Sequence, residues 1–157
     1  MFRNTKLRPG QRRGSAVVEF AMVAPVFLII TLGVSEASRM FEMQNQLVTA
    51  AREGARMAVM DRTGLGGGTT NQKVAADVKN FLSASGMDPE QLQVAIVSHD
   101  DPSQTFNLDD PANNLKYFQV RVTAPFGACS PLAPPGVDEL SLTGKVVFRN
   151  TKIPSTQ

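Results

Sequence analysis

The sequence predicts an α+β fold, in which one long N-terminal transmembrane helix continues into a small domain with a second helix and a mainly antiparallel sheet of about three strands. Three observations predict it. They are an apolar run near the N-terminus, a later apolar stripe at helical spacing, and three short segments in which apolar and polar residues alternate. The length of 157 residues allows one modest domain plus an anchor, and not two independent folds.

The apolar run is long enough to cross a bilayer. Residues 20–35 contain no charge, and extending the run back to Ser15 adds only Glu19. Twenty helical residues at about 1.5 Å per residue reach about 30 Å, which matches the hydrocarbon core of a membrane. Pro25 lies inside the run and is expected to kink the helix, as proline does in transmembrane helices.

The helix is expected to continue past the apolar run, because Met43, Leu47, Ala51 and Ala55 recur at helical spacing. The alanine-rich stretch 50–58 permits close approach of another element, and contact with the chain's own core is favoured over contact with another subunit. The expected organisation is a basic leader over 1–14, a transmembrane helix over 15–35, an amphipathic continuation over 36–62, a glycine-rich joint over 63–70 and a small extracytoplasmic α+β domain over 71–157.

A second helix is expected at the start of this small domain. Thr70 or Asn71 is a suitable N-cap, and Gly86 is a suitable end. The apolar stripe that should face the core consists of Val74, Ala75, Val78, Phe81 and Leu82.

The last part of the chain has the alternation of strands. Apolar residues alternate over 92–96 and 118–122, and a third run covers 146–148 after Thr143 and Gly144. Three strands with one apolar face need a cover, and the two helices supply it.

The charges are unevenly divided along the chain. Residues 1–14 contribute +5 to a total of +2, so the remainder is −3. Cations placed directly before an apolar helix orient its N-terminus toward the cytoplasm and leave the bulk of the chain outside. This arrangement favours control of topology over nucleic-acid binding, because no basic face extends over the folded part. The single cysteine, Cys129, excludes an internal disulfide and leaves a free thiol or an intermolecular bridge open.

An acid next to the apolar run needs a partner or a function, because a charged side chain at the bilayer centre costs about 2.5–3.5 kcal/mol. The string RRGSAVVEF, residues 12–20, resembles the processing site of type IV prepilins, where a basic leader ends in glycine and glutamate is the fifth residue after the cut. The resemblance implies cleavage between Gly14 and Ser15. The new amine of Ser15 would then lie one helical turn from the Glu19 carboxylate, and the two charges would pair within the chain or between adjacent subunits.

Residues 12–60 resemble a particular branch of these proteins, the TadE-like pseudopilins of the tight-adherence (Flp) type IV pilus. The shared features are an R-G-x-x-x-x-E-F-A opening, a proline in the apolar run, small and acidic residues before an arginine, and an A-R-x-x-A-R element. The matching positions are Gly14, Glu19, Phe20, Pro25, Arg39, Ala51, Arg52, Ala55 and Arg56.

This resemblance implies a minor pilin-like subunit that is cut by a prepilin peptidase and acts in pilus assembly for surface adhesion. Its expected partners are the peptidase, other pilin-like subunits, the pilus assembly platform and the lipid bilayer of the cytoplasmic (inner) membrane. Glu19, Phe20 and Pro25 are assigned to helix registration and assembly. The resemblance implies no catalytic residue.

Two other classes of function remain open. One is a single-pass anchored module outside the cytoplasm that binds or senses a ligand and is never cut after Gly14. The other is a secreted protein, since Ser35-Glu36-Ala37 is an acceptable signal-peptidase site.

Residues of catalytic type do not form a recognisable site. His99 stands beside Asp100 and Asp101 in a polar stretch with turn residues on both sides, which favours a solvated loop over an acid–base pair. A calcium site that adds Asp109 and Asp110 would lack the D-x-[DN]-x-[DN]-G pattern of a calcium loop. We therefore expect no enzyme activity, no metal site and no cofactor.

Overall fold

The computed structural model describes residues 11–60, 67–128 and 140–151. The helices and strands are α1 (Gln11–Val59), α2 (Thr70–Ala84), β1 (Gln93–Ser98), β2 (Tyr117–Pro125) and β3 (Ser141–Arg149). Short 3₁₀ turns lie at Pro89–Gln91, Pro111–Asn113 and Phe126–Ala128. These elements confirm the predicted α+β fold, with a long apolar N-terminal helix, a second helix and a three-stranded antiparallel sheet.

The chain divides into two compact units, Met1–Ser38 and Arg39–Gln157. The second unit contains α1 from Arg39 onward together with α2 and the sheet. Most of the basic leader, half of the glycine-rich joint and Cys129 lie outside the described residues. The five-part domain division therefore stays a prediction.

The three strands form one sheet in the order β1-β2-β3, and both pairings are antiparallel. Val120 at the centre of β2 lies opposite Ile96 on one side and Val146 on the other. Because side chains alternate along a strand, Phe118, Val120 and Val122 share one face, and all three are fully buried. This face of the sheet, which we call the floor, forms one side of the hydrophobic core.

The last third of α1 covers that floor. Its buried side chains are Met43, Leu47, Ala50, Ala51, Ala55 and Ala58. A Cβ added at Gly54 would lie 2.5 Å from Cγ2 of Val78 on α2 and 3.7 Å from Cγ1 of Val120 on β2. The small residues of this stretch thus let α1 approach both α2 and β2, which confirms the expected contact with the chain's own core.

Strand β3 begins earlier than the alternation predicted, because Thr143 and Gly144 lie inside it and not before it. At Gly144 an added Cβ would lie 2.4 Å from the carbonyl carbon of Leu47 and 2.6 Å from the backbone nitrogen of Val48. The glycine is required because the backbone of α1 crosses β3 at this point.

Helix α2 is closed at both ends by its own sequence. Its N-cap is Thr69, one residue before the predicted caps, and forms a capping box with Gln72. At the other end Gly86 adopts φ +90°, and the backbone N–H of Met87 donates to the Leu82 carbonyl at 3.1 Å. One expectation was wrong: Phe81 is 40% exposed, because it falls outside the narrow arc that faces the sheet.

Candidate functional site

The apolar part of α1 is uncovered. Its large apolar side chains from Val17 to Val34 are 57% to 73% exposed, and an 18-residue window with a mean hydropathy of 2.4 has no buried residue. Among the described residues, the helix over Gly14–Val59 is long and apolar enough by length and composition to cross a membrane. The core helix of a soluble protein would bury such residues. The exposure therefore indicates membrane anchoring.

One hydroxyl inside this segment and one just after it donate to carbonyls of the same helix. The hydroxyl of Thr31 donates to the Phe27 carbonyl at 2.8 Å, and that of Ser38 donates to the Val34 carbonyl at 2.9 Å. Such bonds to the preceding turn remove hydroxyl donors from an apolar environment. Pro25 lies inside the helix, as expected. The kink there remains a prediction.

The predicted processing site lies on the exposed start of α1. Gly14, Ser15 and Glu19 are all exposed, and the Ser15 hydroxyl donates to Oε1 of Glu19 at 3.2 Å. The two residues are therefore neighbours across one helical turn, as the pairing of a new Ser15 amine with Glu19 requires. Phe20, which follows directly, is 72% exposed.

The A-R-x-x-A-R element has two different surroundings on one helix. Ala51 and Ala55 are completely buried in the core, whereas Arg52 and Arg56 are exposed. Arg56 forms an ion pair with Glu53 at 3.5 Å, in which the arginine side chain is 65% exposed. A surface pair of this kind contributes well under about 1 kcal/mol. The alanines thus serve packing, and the arginines are available to a partner. Arg39, also exposed, begins the second unit.

Three of the acidic residues of the 99–110 loop, Asp101, Asp109 and Asp110, accept hydrogen bonds at separate places. Asp101 accepts from the Ser103 hydroxyl at 2.6 Å, and Asp110 caps a 3₁₀ turn through the Ala112 N–H at 2.9 Å. Asp109 accepts the backbone N–H of Thr70 at 2.8 Å. In the described ranges no group of three or more His, Cys, Asp or Glu side chains is placed to hold a metal ion.

His99 is exposed and lies edge-on to Tyr117, with ring centroids 6.2 Å apart. Hydrogen bonds from the Ser103 side chain and backbone hold the pKa of Asp101 below its usual value. The exposure of His99 and the partial exposure of Asp101 agree with a solvated loop, the preferred interpretation of this stretch.

Sequence reasoning missed the residues that fasten this loop. The Asn71 amide donates to the Phe106 carbonyl at 2.6 Å and accepts the Leu108 N–H at 3.0 Å. Asn150, which is 1% exposed, donates to the Asn113 carbonyl at 3.3 Å. These bonds join residues more than 30 positions apart, so no local pattern could reveal them.

These features define a class: a protein whose described residues include one candidate membrane-anchoring helix near the N-terminus and a small α+β unit after it. The comparison with protein families is more specific. The family model described as TadE-like protein matches residues 14–56, so the chain is TadE-like over that segment. The match confirms the suspected resemblance and supports a pilin-like role associated with the Tad pilus. No curated protein and no solved structure gives a match to the chain.

Proposed function

We propose that this chain is a minor pilin-like subunit of the tight-adherence (Flp) pilus, made as a precursor and cut between Gly14 and Ser15 by a prepilin peptidase. The observation that carries the proposal is that the TadE-like match begins at Gly14, the residue that would end the leader. The apolar helix after it has the exposure that a lipid or helix contact surface needs.

Cleavage would change the electrostatics at the start of α1. In the precursor, the nitrogen of Ser15 is a neutral peptide N–H. In the product it is a cationic amine on the residue whose side chain already contacts Glu19 at 3.2 Å. Opposite charges one turn apart attract, and pairing lowers the cost of keeping the acid beside lipid. Glu19 would pair either with its own amine or with that of a neighbouring subunit, and in the second case it fixes the register between helices.

The basic leader would stay in the cytoplasm, and the unit that begins at Arg39 would lie outside the cytoplasmic membrane. In this arrangement the outer unit selects other pilin-like subunits and the assembly platform, and the pilus mediates adhesion to surfaces. We propose no catalytic activity, cofactor or nucleic-acid partner for it.

Mass spectrometry of the mature N-terminus in the native host, with and without its prepilin peptidase, tests the processing step. We expect Ser15 when the peptidase is present and Met1 when it is absent. Gly14→Leu should block the cut, and the matched leader variant Gly10→Leu should leave it unchanged. Met1 in the presence of the peptidase would instead favour a plain anchored module, and Ser38 would favour a secreted protein.

The role of Glu19 needs a readout after cleavage. Glu19→Gln keeps the size of the side chain and removes its charge, and Glu42→Gln is the matched control on an exposed position of the same helix. With the Ser15 terminus intact in both variants, we expect surface adhesion to fall only for Glu19→Gln. Equal adhesion by the two variants would contradict the registering role.

A further inference from the structure

Strand β3 is an edge of the sheet, since it pairs with β2 alone among the described strands. At the two ends of β3, the Phe126 N–H donates to the Leu140 carbonyl at 2.7 Å and the Asn150 N–H donates to the Lys116 carbonyl at 2.9 Å. Even-numbered positions therefore bond toward β2. In an antiparallel pair the intervening residues direct their N–H and C=O groups the other way.

The outward side of β3 is closed at one end only. Nε2 of Gln44, on α1, donates to the Thr143 carbonyl at 2.9 Å. For Lys145, Val147 and Arg149, the part of the chain that the structure describes supplies no backbone partner on that side. The opposite edge of the sheet is different, because β1 is joined by the segment 104–106. The second half of β3 is thus the open edge.

The sheet face turned away from the core is basic at this edge. Arg121 on β2 lies directly opposite Lys145 on β3, and Tyr117 lies opposite Arg149. The strand positions on this face include these three cations and no acid. Like charges placed opposite each other across strands are destabilising. In the described ranges neither Arg121 nor Lys145 has an ion pair, so a counter-charge from outside would relieve the repulsion.

Two further features lie beside these cations. Gln119, between Tyr117 and Arg121 on the same face, is 6% exposed, and its Nε2 has no hydrogen-bond partner in the described residues. A buried donor without an acceptor is costly. Opposite it Val147 is 42% exposed, and the next residue, Phe148, is 40% exposed. In the described ranges this edge therefore has backbone groups without a hydrogen-bond partner, exposed apolar side chains, and a buried amide donor without an acceptor.

We propose that β3 and its basic face bind an extended acidic segment of another protein, which adds to the sheet as a fourth strand. The backbone groups of Lys145, Val147 and Arg149 would pair with that segment, and its carboxylates would lie over Lys145 and Arg149. The inference goes beyond the proposed pilin-like function and does not depend on cleavage after Gly14.

A second copy of the chain fits this edge poorly. Two-fold antiparallel pairing of β3 with itself about Val147 places Lys145 opposite Arg149, and pairing about Lys145 places it opposite its own copy. Pairing about Val146 avoids like charges but places Arg149 opposite Thr143, whose carbonyl already accepts from Gln44. Lysine on an edge strand is also a common defence against such pairing. Protection against self-pairing would explain why Lys145 and Arg149 are on this edge strand. It would not explain the cation Arg121 on the central strand or the exposure of Phe148. A bound strand in which acidic and apolar residues alternate would explain all four, because its carboxylates would lie on the face of the cations and its apolar side chains on the face of Phe148.

The test uses the full-length protein in lipid nanodiscs and fluorescein-labelled synthetic peptides, with binding followed by anisotropy. The probe is an eight-residue peptide of alternating valine and glutamate. One comparison peptide has lysine in place of glutamate, and another has N-methyl groups on alternate backbone amides so that it cannot pair as a strand. We expect the valine–glutamate peptide to bind at least about tenfold more tightly than either.

Charge reversal identifies the site. The double variant Lys145→Glu/Arg149→Glu should reverse the preference and favour the lysine peptide, whereas Arg52→Glu/Lys79→Glu, which changes the same number of cations on the helices, should leave it unchanged. Protection of β2 amides from hydrogen exchange confirms that both variants are folded. Equal binding of the methylated peptide, no binding of the valine–glutamate peptide, or an unchanged preference in the double variant would each overturn the proposal.

Amide exchange of the unliganded protein, resolved by NMR, tests for other occupants. Lys145, Val147 and Arg149 should exchange faster than Val146, which bonds to β2, and the acidic peptide should slow them. Slow exchange before any peptide is added would show that the edge is already occupied, by the chain itself or by a second copy, and would refute the inference.

Discussion

Replacing Gly144 by alanine tests how closely α1 and β3 approach each other. The new Cβ would lie 2.4 Å from the carbonyl carbon of Leu47, 2.5 Å from its oxygen and 2.6 Å from the nitrogen of Val48. All three are backbone atoms of a helix, so no side-chain rotation can move them. Ordinary contact begins at 3.4 Å, and the helix and strand must therefore separate by about 1 Å.

The sign of the change in stability shows whether α1 and β3 are in close contact at Gly144. In a strand without this contact, alanine should stabilise the protein by about 0.5–1 kcal/mol relative to glycine. A gap of about 1 Å instead forfeits a quarter to a half of the dispersion energy of the atoms that face it. Overpacking typically costs about 1–3 kcal/mol, and rigid backbone on both sides places Gly144→Ala at the upper end of that range.

Hydrogen exchange of β2 amides, followed by mass spectrometry of the full chain in detergent, measures the change without relying on tryptophan, which the sequence lacks. A loss of about 3 kcal/mol accelerates exchange through global unfolding about 100-fold. Gly54→Ala should be milder, because its closest contact is a methyl of Val78 at 2.5 Å. Gly67→Ala, with nothing within 4 Å, is the neutral control. Unchanged or slower exchange in Gly144→Ala would refute the close approach.

Two smaller perturbations test the loop between β1 and β2. Asn71→Ala removes the bonds to Phe106 and Leu108 and should cost about 1–3 kcal/mol by the same exchange assay, with the exposed Asn80→Ala as control; equal effects would contradict the fastening role. Because hydrogen bonds from Ser103 lower the pKa of Asp101 in the folded state, this carboxylate stabilises the fold above its unfolded pKa, and that contribution is lost as pH falls through the folded pKa. Ser103→Ala should raise the Asp101 pKa measured by NMR titration, and no change would refute the assigned cause.

The strands and helices could be predicted because their signals are local. Alternation along 118–122 and helical spacing along 74–82 each fix which residues face one side. The start of β3 could not be predicted in this way. Glycine within a short apolar alternation is typical of a turn, and the reason for Gly144 is Leu47, which lies 97 positions earlier in the chain. The same spacing wrongly predicts a buried Phe81, since periodicity gives a direction but not the width of the arc that a small sheet can cover.

The contact between Ser15 and Glu19 could be predicted because it depends only on local helix geometry. A glutamate placed four residues after Ser15 must lie on the same side of any α-helix, so the contact at 3.2 Å follows from spacing alone. The edge of β3 is the opposite case. Lys145 and Arg121 are 24 positions apart, and only the strand register places them side by side. Neither residue belongs to a motif that sequence reasoning could have recognised.

The TadE-like match contains residues that packing explains and residues that it does not. Within 14–56, Ala51 and Ala55 are small because α1 lies against the core, and any chain with this close approach would need them. Arg52 and Arg56 gain nothing comparable from the fold, because both are exposed and the ion pair of Arg56 is a weak surface pair. Packing within the chain therefore explains the alanines alone. Under the proposed pilin-like function, contact with another subunit is therefore to be sought at the arginines of this element, which lie at a distance in sequence from the apolar segment and from the β3 edge.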